Sequence, residues 1–201
     1  MVEAAKRDDA RWTVEAFVAW LDDGHGGDDR WELVDGAPRM MTRPTLRHQT
    51  VVLNAGRALR ERLRGGPCRP FIDAMVETGE DRTRVPDVTV DCGSPDLSTR
   101  FADEPTVVIE VLSPSTREFD QFDKHVELRG VASVRHVVLI DSERVRAAVW
   151  TRVEPGEGDR GGDWKRQQAF DLDASLALTA VGCELPMAEL YEDTGLESGS
   201  P

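Results

Sequence analysis

Short runs of apolar and polar residues alternate along the chain, and their periods predict both helices and strands. The first helix is predicted over residues 14–21, with Thr13 as its N-cap. The segment Trp31–Val34 and residues 37–41 flank Asp35-Gly36, a pair that favours a tight primed turn. These two segments are therefore predicted to form a β-hairpin, and Pro38 indicates that the second strand either lies at a sheet edge or begins irregularly.

A longer helical period covers residues 46–63 and ends at Gly65-Gly66. His48 lies on its predicted apolar face, which otherwise consists of Val52, Ala55, Leu59 and Leu63. A third helix is predicted from Ser115 or Thr116 to about residue 129, with Phe119, Phe122 and Val126 on its apolar face and Lys124 on the other side. Runs rich in β-branched residues predict further strands at 68–72, 74–78, 85–90, 106–112, 135–140, 147–152 and 165–170.

These elements predict an α/β fold, in which a mixed β-sheet is flanked by helices and preceded by an N-terminal helix and a hairpin. With 201 residues, of which 39% are hydrophobic, the chain is expected to form one folded domain. We expect this domain over 13–191, between a flexible N-terminus (1–12) and a flexible acidic tail (192–201).

The expected location is cytoplasmic, with no membrane contact. No apolar stretch approaches the roughly 20 residues needed to cross a bilayer. The first residues lack the basic and apolar regions of a signal peptide. Cys68, Cys92 and Cys183 are too few and too scattered to predict a disulfide framework or a zinc cluster.

The net charge of −13 argues against nucleic acid as a partner, but the charge is unevenly distributed. Residues 37–70 contain eight arginines and one acid, and this segment alone has a charge of +7. Arg57, Arg60 and Arg64 cluster on one flank of the predicted helix. This flank is either a solvated arginine face or a surface that contacts backbone phosphates.

Two carboxylates within apolar runs are the strongest indication of chemistry. Asp87 lies within the predicted strand 85–90, and Glu110 lies within the strand 106–112. A buried carboxylate is costly unless it is paired, hydrogen-bonded or bound to a metal. On neighbouring strands the two acids predict a Mg²⁺ or Mn²⁺ site, which the carbonyl of Val111 could complete. The alternative is that Asp87 begins a turn and Glu110 pairs with an arginine.

Three further residues are candidates for this site. Lys124 is one of three lysines in a chain with 22 arginines, which favours a specific need for a compact ammonium group. Its alternative is an ordinary ion pair with Asp120 along the helix. Glu32 is either a further carboxylate of the site or a solvated strand residue. His48 is either a base or a core histidine.

The run 108–116 (Val-Ile-Glu-Val-Leu-Ser-Pro-Ser-Thr), together with Pro86-Asp87 and Lys124, resembles the Uma2 endonuclease family. That resemblance extends from about residue 13 to 191 and includes Glu32 and His48. It implies a restriction-endonuclease-like core of the PD-(D/E)XK nuclease superfamily, with metal ligation by Asp87 and Glu110. The usual lysine position, two residues after the second acid, is Leu112 here, so the resemblance implies that Lys124 replaces it from the following helix. It also implies a possible homodimer.

The resulting hypothesis is a Mg²⁺- or Mn²⁺-dependent endonuclease that hydrolyses DNA phosphodiester bonds. In this hypothesis Asp87 and Glu110 hold the metal, Lys124 stabilises the attacking hydroxide or the transition state, and Glu32 assists. The arginine flank would position the DNA backbone without reading its sequence. Two alternatives stay open. One is a catalytically silent binding or regulatory protein on the same fold, and the other is a hydrolase of smaller phosphate or nucleotide substrates.

Overall fold

The computed structural model describes residues 11–113, 120–153 and 164–197, and these contain four α-helices. The helices are α1 (Val14–Asp22), α2 (Leu46–Arg62), α3 (Asp120–Gly130) and α4 (Met187–Leu190). The strands are β1 (Trp31–Val34), β2 (Ala37–Met40), β3 (Arg69–Ile72), β4 (Val76–Gly79), β5 (Arg82–Arg84), β6 (Val88–Asp91), β7 (Pro105–Leu112), β8 (His136–Asp141), β9 (Ala147–Arg152), β10 (Trp164–Ala169), β11 (Ser175–Leu178) and β12 (Cys183–Pro186).

The central feature is a six-stranded sheet with the order β10-β9-β8-β7-β6-β3. Strands β7 and β8 are parallel and the other neighbours are antiparallel, so the mixed sheet of the predicted α/β fold is confirmed. Helix α2 packs on this sheet, and Val51 and Leu59 join Val107 and Ile109 in the main hydrophobic core. Burial of such side chains is the dominant favourable term in folding.

A second, four-stranded sheet has the order β2-β1-β5-β4 and contains the predicted hairpin. Asp35 and Gly36 both have positive φ angles, 49° and 71°, as a primed turn requires. A Cβ at Gly36 would lie 2.6 Å from the Cβ of Arg11, so this position also excludes any larger residue. Strand β2, which carries Pro38, is an edge strand as predicted.

Helix α2 matches its predicted limits closely, and Thr45 caps it by accepting a bond from the N–H of His48. Its buried side is rotated towards Val51 and Ala58, whereas the predicted core residues Val52 and Leu63 are half-buried. The rotation follows because β12 and α4 also contact α2, next to the sheet, and Asn54 donates hydrogen bonds at the end of α4.

Helix α3 differs from its prediction in its apolar side. Val126, expected to face the core, is 43% exposed, and Leu128 is fully buried instead. The predicted caps Ser115 and Thr116 lie outside the described residues.

One disulfide bond corrects the expectation drawn from the scattered cysteines. Cys68 and Cys92 are joined, with an S–S distance of 2.07 Å, and Cys183 is free. Strands β3 and β6 are antiparallel, and Arg69 pairs with Asp91. Cys68, which precedes Arg69, therefore lies opposite Cys92, which follows Asp91. Spacing along the sequence could not reveal this juxtaposition, because it depends on strand order.

The end of the described chain packs against α2. Asn54 donates hydrogen bonds from Nδ2 to the carbonyls of Leu190 and Glu192, at 3.2 and 2.8 Å. Thr194 is buried as well. The predicted domain limits at 13 and 191 stay predictions. Among the described residues, no helix combines the length and the apolar character that a membrane crossing requires.

Candidate active site

The two candidate carboxylates meet where β6 and β7 begin their pairing. Val88 pairs with Ile109 in this antiparallel register, so one further step places Asp87 opposite Glu110. Glu110 lies within β7 as predicted. Asp87, however, lies at a bend just before β6, and the prediction of one continuous strand over 85–90 is wrong.

The bend has a physical cause in the backbone of Val85. The N–H of Val85 donates to Glu32 Oε1 at 2.8 Å, and its carbonyl accepts from Lys124 Nζ at 3.1 Å. Both polar groups of this residue are therefore bonded to side chains instead of to a neighbouring strand, and Pro86 has no N–H to offer. The strand is interrupted there, and Asp87 is directed into the site.

The Asp87 carboxylate is buried and well supplied with partners. Its Oδ2 accepts the backbone N–H of Val111 at 2.8 Å, and its Oδ1 lies 3.2 Å from His48 Nε2. Arg30 Nη2 is 3.5 Å from the same Oδ1. Burial alone would raise the pKa of Asp87, but the bonds from His48 and Val111 outweigh it and the pKa is lowered. Asp87 is therefore a carboxylate at neutral pH.

Glu110 has the opposite electrostatic character. Burial, together with the charges of Asp87 and Glu32, raises its pKa to about 8 despite the nearby ammonium of Lys124. Its Oε1 lies 2.8 Å from Lys124 Nζ but makes no hydrogen bond of regular geometry within the described part of the chain. The pKa values of the two neighbouring acids, Asp87 and Glu110, are thus shifted in opposite directions.

Lys124 extends from α3 to the two acids. Its Nζ is 2.8 Å from both Glu110 Oε1 and Glu32 Oε1. Burial by itself lowers the pKa of Lys124, but the two carboxylates raise it by more, so the side chain remains an ammonium. The lysine from the following helix therefore lies with the acids; the side chain of Asp120, its alternative partner, lies outside the described residues.

Glu32, which sequence reasoning left between site and solvent, is buried and connects the small sheet to this cluster. Its Oε2 lies 3.3 Å from Arg84 Nη1. Arg84 also donates two bonds to Glu127 of α3, at 2.7 and 2.8 Å, which docks the helix that carries Lys124. Charge-assisted bidentate pairs of this kind fix geometry strongly.

Of the three arginines predicted to contact phosphates, two line the same groove. Arg57 and Arg60 line a groove of about 640 Å³ that reaches Asp87 and His48, and Arg64 does not line it. Arg57 is also ion-paired with Glu192. The basic segment is further neutralised by other acids, since Arg47 pairs with Glu143 and Arg62 pairs with Glu189.

Sequence reasoning missed Arg30, Asp73 and Arg84. Arg30 Nη2 forms a 2.7 Å ion pair with Asp73 beside Asp87, and both residues line the same groove. Arg84 follows the polar run Asp81-Arg82-Thr83, so the sequence does not mark it as a buried residue. Arg30 stands at the entry to β1, and no pattern in the sequence distinguishes it from a surface arginine.

The donor set suits a hard divalent cation. Among the described residues there is no group of three or more His, Cys, Asp and Glu side chains arranged for a metal. Asp87, Glu110 and the carbonyl of Val111 nevertheless offer oxygen atoms alone, and Mg²⁺ accepts one or two carboxylates together with waters and substrate oxygens. The Glu110 Oε1 without a regular hydrogen bond is consistent with this role.

Comparisons with known proteins identify the family and the fold. The Uma2 family, described as "Putative restriction endonuclease", matches residues 14–188. A solved structure, titled as a putative nuclease belonging to DUF820 from Anabaena variabilis, has a TM-score of 0.68 at 16% identity. The match covers 89% of this chain and 97% of that one, so the two share a fold. No curated protein matches the sequence.

Proposed function

Because the chain belongs to the Uma2 family, we propose that it is an endonuclease that hydrolyses DNA phosphodiester bonds with a divalent metal ion, Mg²⁺ or Mn²⁺. The restriction-endonuclease-like fold supports this proposal. The observation that carries it is the position of Lys124, whose Nζ is 2.8 Å from both Glu110 and Glu32 beside Asp87. Four residues from four separate segments converge there, as a phosphate-cleaving site requires.

Asp87, Glu110 and the Val111 carbonyl are the proposed metal ligands. When bound, a divalent ion at these oxygens would polarise the phosphodiester and lower the pKa of an attacking water. The N–H of Val111 and the ring of His48 orient Asp87, because each contacts one of its carboxylate oxygens. His48 is thus proposed as a positioning residue. This role differs from both sequence-based alternatives, since His48 is buried like a core histidine and also contacts a proposed metal ligand.

Lys124 is proposed to stabilise negative charge on the attacking oxygen or on the phosphorane. Its raised pKa keeps it protonated, so it acts as a cation and not as a general base. Glu32 holds the ammonium from the side opposite Glu110, and Arg84 in turn holds Glu32. Arg57 and Arg60 are proposed to contact backbone phosphates. A homodimer remains a prediction from the family resemblance.

The test is cleavage of supercoiled plasmid and of single-stranded oligonucleotides by wild type, Lys124→Ala and Lys165→Ala in Mn²⁺ or Mg²⁺. Lys165 is an exposed lysine on β10 and serves as the matched control. We expect Lys124→Ala to lose cleavage and retain DNA affinity, with Lys165→Ala unchanged. Turnover retained in Lys124→Ala, with circular dichroism showing both variants folded, would remove the lysine from the mechanism.

Metal binding has a test that does not depend on activity. Millimolar Mn²⁺ should raise the melting temperature of wild type and leave Asp87→Asn/Glu110→Gln unchanged, since a ligand stabilises the state that binds it. Equal shifts in both proteins, or none in either, would favour a catalytically silent binding protein. Cleavage of a mononucleotide ester without cleavage of DNA would favour the small-substrate alternative.

A further inference from the structure

A groove begins at Asp87 and His48 and continues along the surface between α2 and β3. We name it the α2–β3 groove; its volume is about 640 Å³. Most of its accessible lining is apolar, and this apolar part includes Val52, Leu53, Gly56, Pro70 and Ile72. Leu53 is 69% exposed and Ile72 is 50% exposed, so this apolar surface faces the open groove.

The size of the groove exceeds what a phosphate group requires. Cavities of roughly 300–1,000 Å³ hold molecules of drug size, with apolar walls and a few polar groups that fix orientation. A phosphate group needs room only at the end of the groove that Asp87 lines. The remaining length therefore fits a second, apolar part of the substrate, attached to the phosphate.

The charges along the α2–β3 groove favour an anionic occupant. Arg30, Arg57 and Arg60 line it together with Asp73 and Asp87, so its lining has a net charge of +1 in a protein with a net charge of −13. Arg30 Nε is buried and has no hydrogen-bond partner among the described residues. A positive lining beside an apolar wall matches a chain of phosphates that carries flat apolar groups.

We propose that the α2–β3 groove binds an unpaired nucleotide next to the scissile phosphate, and that the substrate is single-stranded or locally unpaired DNA. This inference rests on the proposed function. In a duplex the base faces are stacked on each other, and exposing one to an apolar wall costs a few kcal/mol of unstacking. In a single strand the faces are available, and contacts to them need no particular sequence.

Gly56 keeps the groove open. A Cβ at this position of α2 would lie 3.1 Å from Ile72 Cδ1, so a larger side chain would extend into the space between helix and strand. Glycine inside a helix costs about 1 kcal/mol relative to alanine. Gly56→Leu should therefore obstruct the groove and reduce affinity for single strands without harming the helix.

The test measures fluorescence anisotropy of a labelled single-stranded oligothymidine and of a blunt hairpin duplex in EDTA. The test variant is Leu53→Ser and the control is Leu97→Ser. Both leucines are 69% exposed, but only Leu53 lines the groove. We expect wild type to bind the single strand more tightly than the duplex. Leu53→Ser should weaken that binding about fivefold, the loss that follows from partial burial of one leucine, and Leu97→Ser should not.

Equal affinity for both DNAs, or equal behaviour of Leu53→Ser and Leu97→Ser, would overturn the proposal. So would a wild-type dimer, seen by light scattering, that Leu53→Ser dissociates without a change in DNA affinity, since a second copy would then cover the groove. Cleavage assays in Mn²⁺ distinguish failure of the groove proposal from failure of the nuclease proposal. Duplex cleavage that Leu53→Ser leaves unaffected would sink the groove proposal alone, and single-strand binding without cleavage in Mn²⁺ or Mg²⁺ would sink the nuclease proposal alone.

Discussion

Replacing Lys124 by methionine retains the apolar stem and removes the ammonium that lies 2.8 Å from both Glu110 and Glu32. Removal of one partner of a buried ion pair costs about 3–5 kcal/mol, because the remaining charge is left without compensation. The Lys124 side chain is 12% exposed, and the two acids are 10 and 15% exposed. This residual contact with water places the expected loss of unfolding free energy at the low end, about 3 kcal/mol.

The size of this loss should depend on pH, because the pKa of Glu110 is about 8 in the folded protein. Near pH 6 Glu110 is mostly protonated with or without the lysine, and the variant loses mainly the interaction with Glu32. Near pH 9 Glu110 is ionised beside Lys124 in wild type and has no cation in the variant. The difference in stability therefore grows as pH rises through about 8.

Urea denaturation followed by circular dichroism in EDTA, near pH 6 and near pH 9, measures the loss of unfolding free energy and its dependence on pH. A loss of about 3 kcal/mol corresponds to a melting temperature lower by about 6–12 °C for a protein of this size. Lys124→Met/Glu110→Gln should recover part of the loss, because a neutral amide needs no cation. A loss below about 1 kcal/mol near pH 9, or one independent of pH, would refute the electrostatic reasoning.

Three further predictions concern stability. Asp87→Asn should cost about 1–3 kcal/mol in EDTA at neutral pH, and the cost should vanish as pH falls through the lowered pKa of Asp87; unchanged stability would contradict the assigned bonds. Burial lowers the pKa of His136 to about 4, so stability should fall below about pH 6.5, by about 2 kcal/mol at pH 5, and less steeply in His136→Gln; parallel profiles would disprove this. Cys68→Ser/Cys92→Ser should cost about 3 kcal/mol, and a reductant should lower the urea midpoint of wild type alone; a wild type insensitive to reductant would exclude a stabilising bond.

The parts of the site that the sequence could predict depend on local pattern. Glu110 within a β-branched run and the Asp35-Gly36 turn each leave a signal within a few residues, and both lie in the predicted elements. Lys124 could be placed on a helix by periodicity, but its position beside the acids followed from the rarity of lysine in this chain and from the family resemblance.

The parts that could not be predicted depend on contacts between distant segments. The short strand β5 exists because Leu33 pairs with Thr83, 50 residues away, and its own sequence carries no strand period. The break before Asp87 depends on Glu32 capturing the N–H of Val85 across 53 residues. The α2–β3 groove likewise follows from how a helix sits on a sheet, and a one-dimensional pattern contains no measure of that distance.

The proposed lysine and the proposed acids lie on different elements, because Lys124 is on α3, which is docked through the bonds between Arg84 and Glu127. A lysine on the same strand as Glu110 would move with it, whereas Lys124 belongs to a helix that can withdraw while Asp87 and Glu110 stay in the sheet. Under the proposed function, thermal undocking of α3 yields a dormant form that still takes up metal and does not turn over. The population of that form, and with it the fraction of molecules competent at any instant, depends on the Arg84–Glu127 pair together with the burial of Leu128 and the contacts of Lys124.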